Sequence, residues 1–149
     1  MAVENPREHL AFLVHDVAKR LRVEFARRAA RHDLTPAQAR CLMLLAFRPG
    51  ASLKALAEAL EVQPMSVLRV VDGLQARRLL RRETDPDDRR ALQLFLTRPG
   101  ETAVARIWRL LDGIIAEAGA DMGPAARRRL ARSLVQLSAG MQKFEREPR

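Results

Sequence analysis

Apolar residues recur along this chain at helical spacing in six stretches and at strand spacing in one. From Arg7 to Asp33 there is neither proline nor glycine, and Leu10, Val14, Val17, Leu21 and Phe25 fall three or four residues apart, which predicts one helix of several turns. Thr35 and Pro36 read as the N-cap and first position of a second helix, with Ala39, Leu42, Met43, Leu45 and Ala46 on its apolar side as far as Pro49-Gly50. Ser52 caps a two-turn segment in which Leu53, Leu56, Ala57 and Leu60 share a face. Only Glu61-Val62-Gln63 then intervenes before Pro64, from which Val67, Val70, Val71 and Leu74 continue for about four turns. Two helices joined by three or four residues make a helix-turn-helix, and the second is the reading helix.

After Arg78 the period changes. Leu79–Glu83 and Ala91–Thr97 flank the turn-rich Thr84–Arg90, and Leu92, Leu94 and Leu96 alternate with Gln93, Phe95 and Thr97, which predicts a β-hairpin with a polar tip. Val104, Ile107, Trp108, Leu111, Ile114, Ile115 and Ala118 restore a helical stripe after Pro99-Gly100, and Leu130, Leu134, Leu137 and Met141 form another after Gly123-Pro124. The expected fold is mainly α: a winged helix-turn-helix with a two-stranded β-wing, flanked by N- and C-terminal dimerisation helices. The chain reads as a single domain, 1–149, with a DNA-binding lobe at 35–98 and dimerisation helices at 7–33 and 101–144. The lobe is expected to close its own core, leaving the three long helices with surplus apolar faces that a second copy would bury.

At 149 residues, 48% hydrophobic and 30% charged, the chain is long enough for one domain with a sizeable core. Basic residues number 27 against 18 acidic ones, a formal +9, and all the basic ones except Lys19, Lys54 and Lys143 are arginines. Arginine's planar fork of donors fits phosphates and guanine edges, so the balance favours a polyanionic partner such as nucleic acid. The single cysteine, Cys41, excludes an internal disulfide, and no zinc-finger spacing occurs. With no apolar run near the length of a membrane span and a charged start, a soluble cytoplasmic protein is expected.

The helix-turn-helix from Ser52 to Arg77, followed by Asp85-Pro86-Asp87-Asp88-Arg89-Arg90 and a strand ending Leu96-Thr97 with Gly100 close behind, resembles the MarR family of bacterial transcription regulators. The likeness runs from about residue 10 to 142. It implies a symmetric dimer whose terminal helices interlock and whose two lobes meet adjacent stretches of duplex. Independently, two-fold symmetry and the fit of a helix to the major groove call for a pseudo-palindromic site with half-sites about one helical turn apart.

On the reading helix, Gln63, Ser66 and Arg69 are expected to face outward while Val67, Val71 and Leu74 face the core. Arg69 is suited to bidentate contact with guanine or to clamping a phosphate. At the wing the resemblance assigns Asp88 and Arg90 to the Asp-x-Arg positions, Arg90 entering the minor groove and Asp88 holding the tip, with Arg89 on a phosphate. A plain acidic turn neutralised by two arginines is the alternative. Three positions depart from the family pattern. Leu68 stands where Thr is common, Gly73 replaces a commonly basic residue, and Arg78 occupies a left-handed turn that is usually Gly, so the helix end there is expected to be rebuilt. Arg77, Arg78, Arg81 and Arg82 could offset the charge missing at Gly73.

Family members commonly respond to small aromatic or phenolic acids bound between lobe and dimer helices, at the first, second and fifth helices. There Phe12, His15, Arg22 and Met43 would form a cationic, apolar seat for such a ligand, the alternative being surface or dimer-contact residues. Peroxide-sensing members carry a cysteine near the start of the first helix. Cys41 lies on the second, where it reads as a small buried hydrophobe. The arginines at 127–129 and 132 spread around more than one helix face and read as solvated. No catalytic site, metal site or cofactor is expected, because there is no phosphate-cradling loop, metal-binding histidine pattern or nucleophile beside a base. The reading is a homodimeric operator-binding repressor released by a small ligand. Its alternatives are a constitutive DNA binder without effector, and a helical dimer that has lost operator reading and acts through protein contacts.

Overall fold

The structure, a computed structural model, describes residues 9–86, 88 and 91–145. Its elements follow in the order α1 (Leu10–Ala29), α2 (Pro36–Phe47), β1 (Ala51–Ser52), α3 (Leu53–Leu60), α4 (Pro64–Ala76), β2 (Leu80–Thr84), β3 (Leu92–Leu96), α5 (Arg98–Ala118) and α6 (Pro124–Glu145). α1 stops short of the predicted Asp33: a 3-10 turn, Ala30–His32, leads into Asp33 at φ 55°, a left-handed conformation that aspartate tolerates better than most residues. The turn brings Leu34 into the core, which a continuous helix would not do. α2 begins with a complete capping box, Gln38 N–H donating to Thr35 Oγ at 3.2 Å and Thr35 N–H donating to Gln38 Oε1 at 3.0 Å. Ser52 caps α3 by accepting from Ala55 N–H at 3.1 Å.

β2 and β3 pair as the two-stranded wing that periodicity predicts, and β1, which it does not predict, extends the hairpin to a three-stranded antiparallel sheet. β3 is central, paired with β2 from Leu80 opposite Leu96 to Thr84 opposite Leu92, and on its other edge with β1, Ala51 opposite Leu94. A two-residue strand has no period to detect. It is set by Gly50, at φ 81°, whose N–H donates to Leu94 carbonyl at 2.9 Å as the chain leaves α2. Of the three alternating leucines only Leu94 is fully buried. Leu96 is partly buried and Leu92, at the tip end of the strand, is exposed.

The core corrects a second expectation. Leu42, Leu45, Leu56, Val67, Val71, Leu74, Leu80 and Leu94 form its centre, but Phe25 and Ala29 of α1 and Ala103, Val104, Ile107 and Ile114 of α5 are buried in the same cluster. The lobe therefore does not close without the long helices. Each fully buried Leu or Phe stabilises by about 1.5–3 kcal/mol, so Phe25 and Ile107 are structural partners of the lobe. The Cα trace divides within α5 into two compact units, Met1–Ile114 and Ile115–Arg149. In the first, the α1 stripe is buried at Phe25 and bare at Leu10, Val14 and Val17; in the second, Leu130, Leu134, Leu137 and Met141 are exposed along α6.

Candidate nucleic-acid interface

α4 is held so that one side is core and the other is open. Pro64 occupies its first turn, Gln63 is the N-cap, and the Gln63 carbonyl accepts from Ser66 N–H at 2.9 Å. The preceding turn is closed by Glu61 in the left-handed region, φ 54°, with Val62 N–H donating to Ala57 carbonyl and Glu61 N–H to Glu58 carbonyl, both at 3.1 Å. Val67, Val71 and Leu74 are buried, while Gln63, Ser66 and Arg69 are exposed. Among the described residues, Arg69 makes no side-chain hydrogen bond or ion pair. Met65, absent from the sequence-based set, lies one turn before Arg69 on the same outward stripe and is 64% exposed. Leu68 is half-buried at the edge of that stripe. A Cβ on Gly73 would point at Gln38 Nε2, 3.3 Å away, so the missing side chain is directed at the start of α2.

The end of α4 is not rebuilt. Arg78 takes the left-handed conformation itself, φ 57°, and both Schellman bonds are present, Leu79 N–H to Leu74 carbonyl at 2.9 Å and Arg78 N–H to Gln75 carbonyl at 2.8 Å. Thr97 and Gly100, next to it in space, brace the turn.

At the wing, Asp85 is the residue that sequence reasoning overlooked. One of its carboxylate oxygens accepts from Asp88 N–H at 3.2 Å and the other from Gln93 Nε2 at 2.7 Å, while Asp85 N–H donates to Ala91 carbonyl at 3.0 Å. An aspartate at the start of the turn-rich Thr84–Arg90, six residues before the predicted strand, is a turn signal, and that was its mark in the sequence. Asp88 is exposed at the tip, its carbonyl accepting from Ala91 N–H at 2.9 Å. Arg89 and Arg90 lie outside the described residues.

The neighbouring arginines are mostly committed to the protein. Arg77 donates to Asp33 carbonyl. Arg81 donates to Glu83 at 2.6 Å and to Leu96 carbonyl at 2.9 Å, with its guanidinium 5.2 Å over the Phe95 ring. Arg82 pairs with Asp72, tying β2 to α4. Of the four expected to compensate for Gly73, Arg78 alone has no side-chain partner among the described residues.

A cavity of 610 Å³ lies where α1, α2, the end of α4 and α5 converge, lined by apolar Phe25, Ala29, Leu34, Ala39 and Ile107 and by the cations Arg77, Arg106 and Arg109. Phe12, His15 and Arg22 do not line it. Phe12 and His15 are exposed near the start of α1, Arg22 is exposed further along it, and Met43 is half-buried against the core. The structure does not bring these four side chains together at the cavity. Cys41 is fully buried, and burial pushes its thiol up to about 11, away from thiolate chemistry. Among the described residues no group of His, Cys, Asp or Glu is placed to hold a metal ion, and no helix is long and apolar enough to cross a membrane.

Residues 32–91 match the model of the MarR family. A Thauera aromatica protein named for transcriptional regulation of the hcr operon is 42% identical over 74 residues, 50% of this chain and 45% of that protein, so the match spans less than half of the relative's length. Among solved structures, the transcriptional repressor CouR bound to a 23-mer DNA duplex is 27% identical, with a TM-score of 0.67 over 93% of this chain and 98% of that one. A MarR family protein of Mycobacterium tuberculosis, in complex with salicylic acid, is 26% identical, with a TM-score of 0.73 over 92% of this chain and 99% of its own. Over residues 32–91 the chain thus matches the MarR family model, and its winged-helix fold is the one these MarR-type structures share.

Proposed function

We propose that this chain is a cytoplasmic, homodimeric transcription regulator that represses by occupying a pseudo-palindromic operator and lets go when a small carboxylate binds. The observation that carries DNA binding is the outward face of α4. Gln63, Ser66 and Arg69 stand exposed at the leading end of the second helix of a helix-turn-helix, and Arg69 has no side-chain partner among the described residues, in a chain of net charge +9. The first residues of such a helix are the ones that reach base edges in the major groove. Arg69 would read guanine there, and at the wing, as the family resemblance implies, Arg90 would enter the adjacent minor groove, with Asp88 holding the tip and Arg89 on a phosphate. The likeness to a repressor solved on duplex DNA supports the same reading.

The second copy is called for by bare apolar surface on two helices, Leu10, Val14 and Val17 on α1 and Leu130, Leu134 and Leu137 on α6. The ligand's seat in this proposal is the 610 Å³ cavity, where Arg77, Arg106 and Arg109 border an apolar lining suited to an aromatic acid. Phe12, His15, Arg22 and Met43 remain candidates only for contacts outside that cavity. Regulation would be a population shift, the ligand favouring a lobe spacing that does not fit two successive major grooves.

Sedimentation of the chain with and without a selected operator fragment tests the assembly: two chains per fragment are expected, and a single chain per fragment would refute the dimer. Salicylate, added to the same mixture, is expected to raise the melting temperature of the wild type and free the DNA. Arg106→Ala should abolish both responses, and ligand effects unchanged in that variant would remove the cavity from the proposal.

A further inference from the structure

The leading end of α4 carries an apolar side chain that folding does not account for. Val67, Val71 and Leu74 are buried and Val70 is partly so, yet Met65 stands 64% exposed on the face opposite them. It shares that face with Arg69, four residues on, so the two side chains emerge about 5–6 Å apart along the helix. An exposed thioether between Gln63 and Ser66 gains nothing from water and cannot pair with a polar base edge.

We propose that Met65 is a specificity-determining residue that packs on the C5-methyl group of a thymine, about one or two base pairs from the base read by Arg69. This rests on the DNA-binding reading above. In the major groove the thymine methyl is the one apolar group among the base edges; guanine, adenine and cytosine present acceptors and amino donors there. Setting a methionine on any of those edges would strip water from a polar group without replacing its hydrogen bond, which is unfavourable. The unbranched, polarizable side chain adapts to the exact height of a methyl group better than a β-branched residue would. Each half-site should therefore pair a guanine contact with a thymine contact at fixed spacing, and the operator should be sensitive to the loss of single methyl groups.

The test uses the full chain and an operator recovered by selection, with each thymine replaced in turn by deoxyuridine, which deletes the methyl and leaves the hydrogen-bonding edges intact. For the wild type, one uridine position per half-site should weaken binding about fourfold, the value expected for exposing one buried methyl group. Met65→Ala should bind the thymine and uridine operators equally while melting at the wild-type temperature, as befits an exposed position. Wild-type binding indifferent to uridine at every position would overturn the proposal, as would a uridine effect that persists in Met65→Ala. If the wild type does not prefer the selected DNA to scrambled DNA, the DNA-binding reading itself falls and takes this inference with it. That result appears before any uridine is introduced.

Discussion

The hydroxyl of Thr97 donates a 2.6 Å hydrogen bond to the carbonyl of Arg78, and Thr97 N–H donates to Leu79 carbonyl at 3.2 Å. The same hydroxyl accepts from Gly100 N–H at 3.2 Å, capping α5. One threonine thus joins the end of α4, the end of the wing strand and the first turn of α5. The join is so close that a Cβ on Gly100 would sit 1.9 Å from the Leu79 carbonyl oxygen.

Gly100→Ala should therefore be among the most damaging single-methyl changes in the molecule. Backbone would have to separate from backbone, at a cost of about 3 kcal/mol. Urea denaturation of the variant checks this, and a midpoint within error of the wild type would show that α5 can shift without penalty.

Arg78 makes the opposite case. Its left-handed backbone costs a non-glycine residue about 1–2 kcal/mol, partly offset because glycine loses more freedom on folding. Arg78→Gly should raise stability by about 0.5–1 kcal/mol. Arg78→Ala keeps the strain and should show no such gain, which separates backbone from charge in the same melts.

The helix boundaries set by Thr35-Pro36, by Ser52 and by Gln63-Pro64 were legible because caps and prolines are local signals, and so was the buried face of α4, because Val67, Val71 and Leu74 repeat at a helical period. Strand β1 was not legible, since two residues carry no period, and neither was the end of α1, where the composition of Arg31-His32-Asp33 does not forbid a helix. The strain at Arg78 could be inferred, but its retention depended on Thr97 and Gly100, which are distant in sequence. The outward face of α4 was legible, since Gln63, Ser66 and Arg69 are exposed as their spacing predicts. What was not legible is tertiary: the hydrogen bonds of Asp85 and the convergence of Arg77, Arg106 and Arg109 on one cavity follow from how the chain folds back on itself.

Asp85 holds the wing by two carboxylate hydrogen bonds. Asp85→Ala should loosen the hairpin tip and lower operator affinity about tenfold, the equivalent of one such bond. The overall melt should be unchanged, because the affected residues lie at the end of the sheet. Fluorescence anisotropy with a labelled operator measures the affinity, and undiminished binding would remove Asp85 from the wing's support.

Cys41 should behave as a core atom. Burial raises its thiol from 9.0 to about 11, so at pH 8 the thiolate fraction in the folded chain is about a hundredfold below that of the unfolded chain. Iodoacetamide should label it rapidly in urea and very slowly in buffer. Rapid labelling of the native protein would show that α2 opens.

The most direct test of DNA reading is footprinting of the full chain on its own upstream DNA, against a scrambled duplex of equal length at physiological salt. A protected pseudo-palindrome with half-sites about one helical turn apart is the predicted result, with Arg69→Ala losing preference at one base pair in each half-site. Equal binding to both duplexes, with no protected boundary, would contradict it and leave a basic protein that holds phosphates without reading sequence.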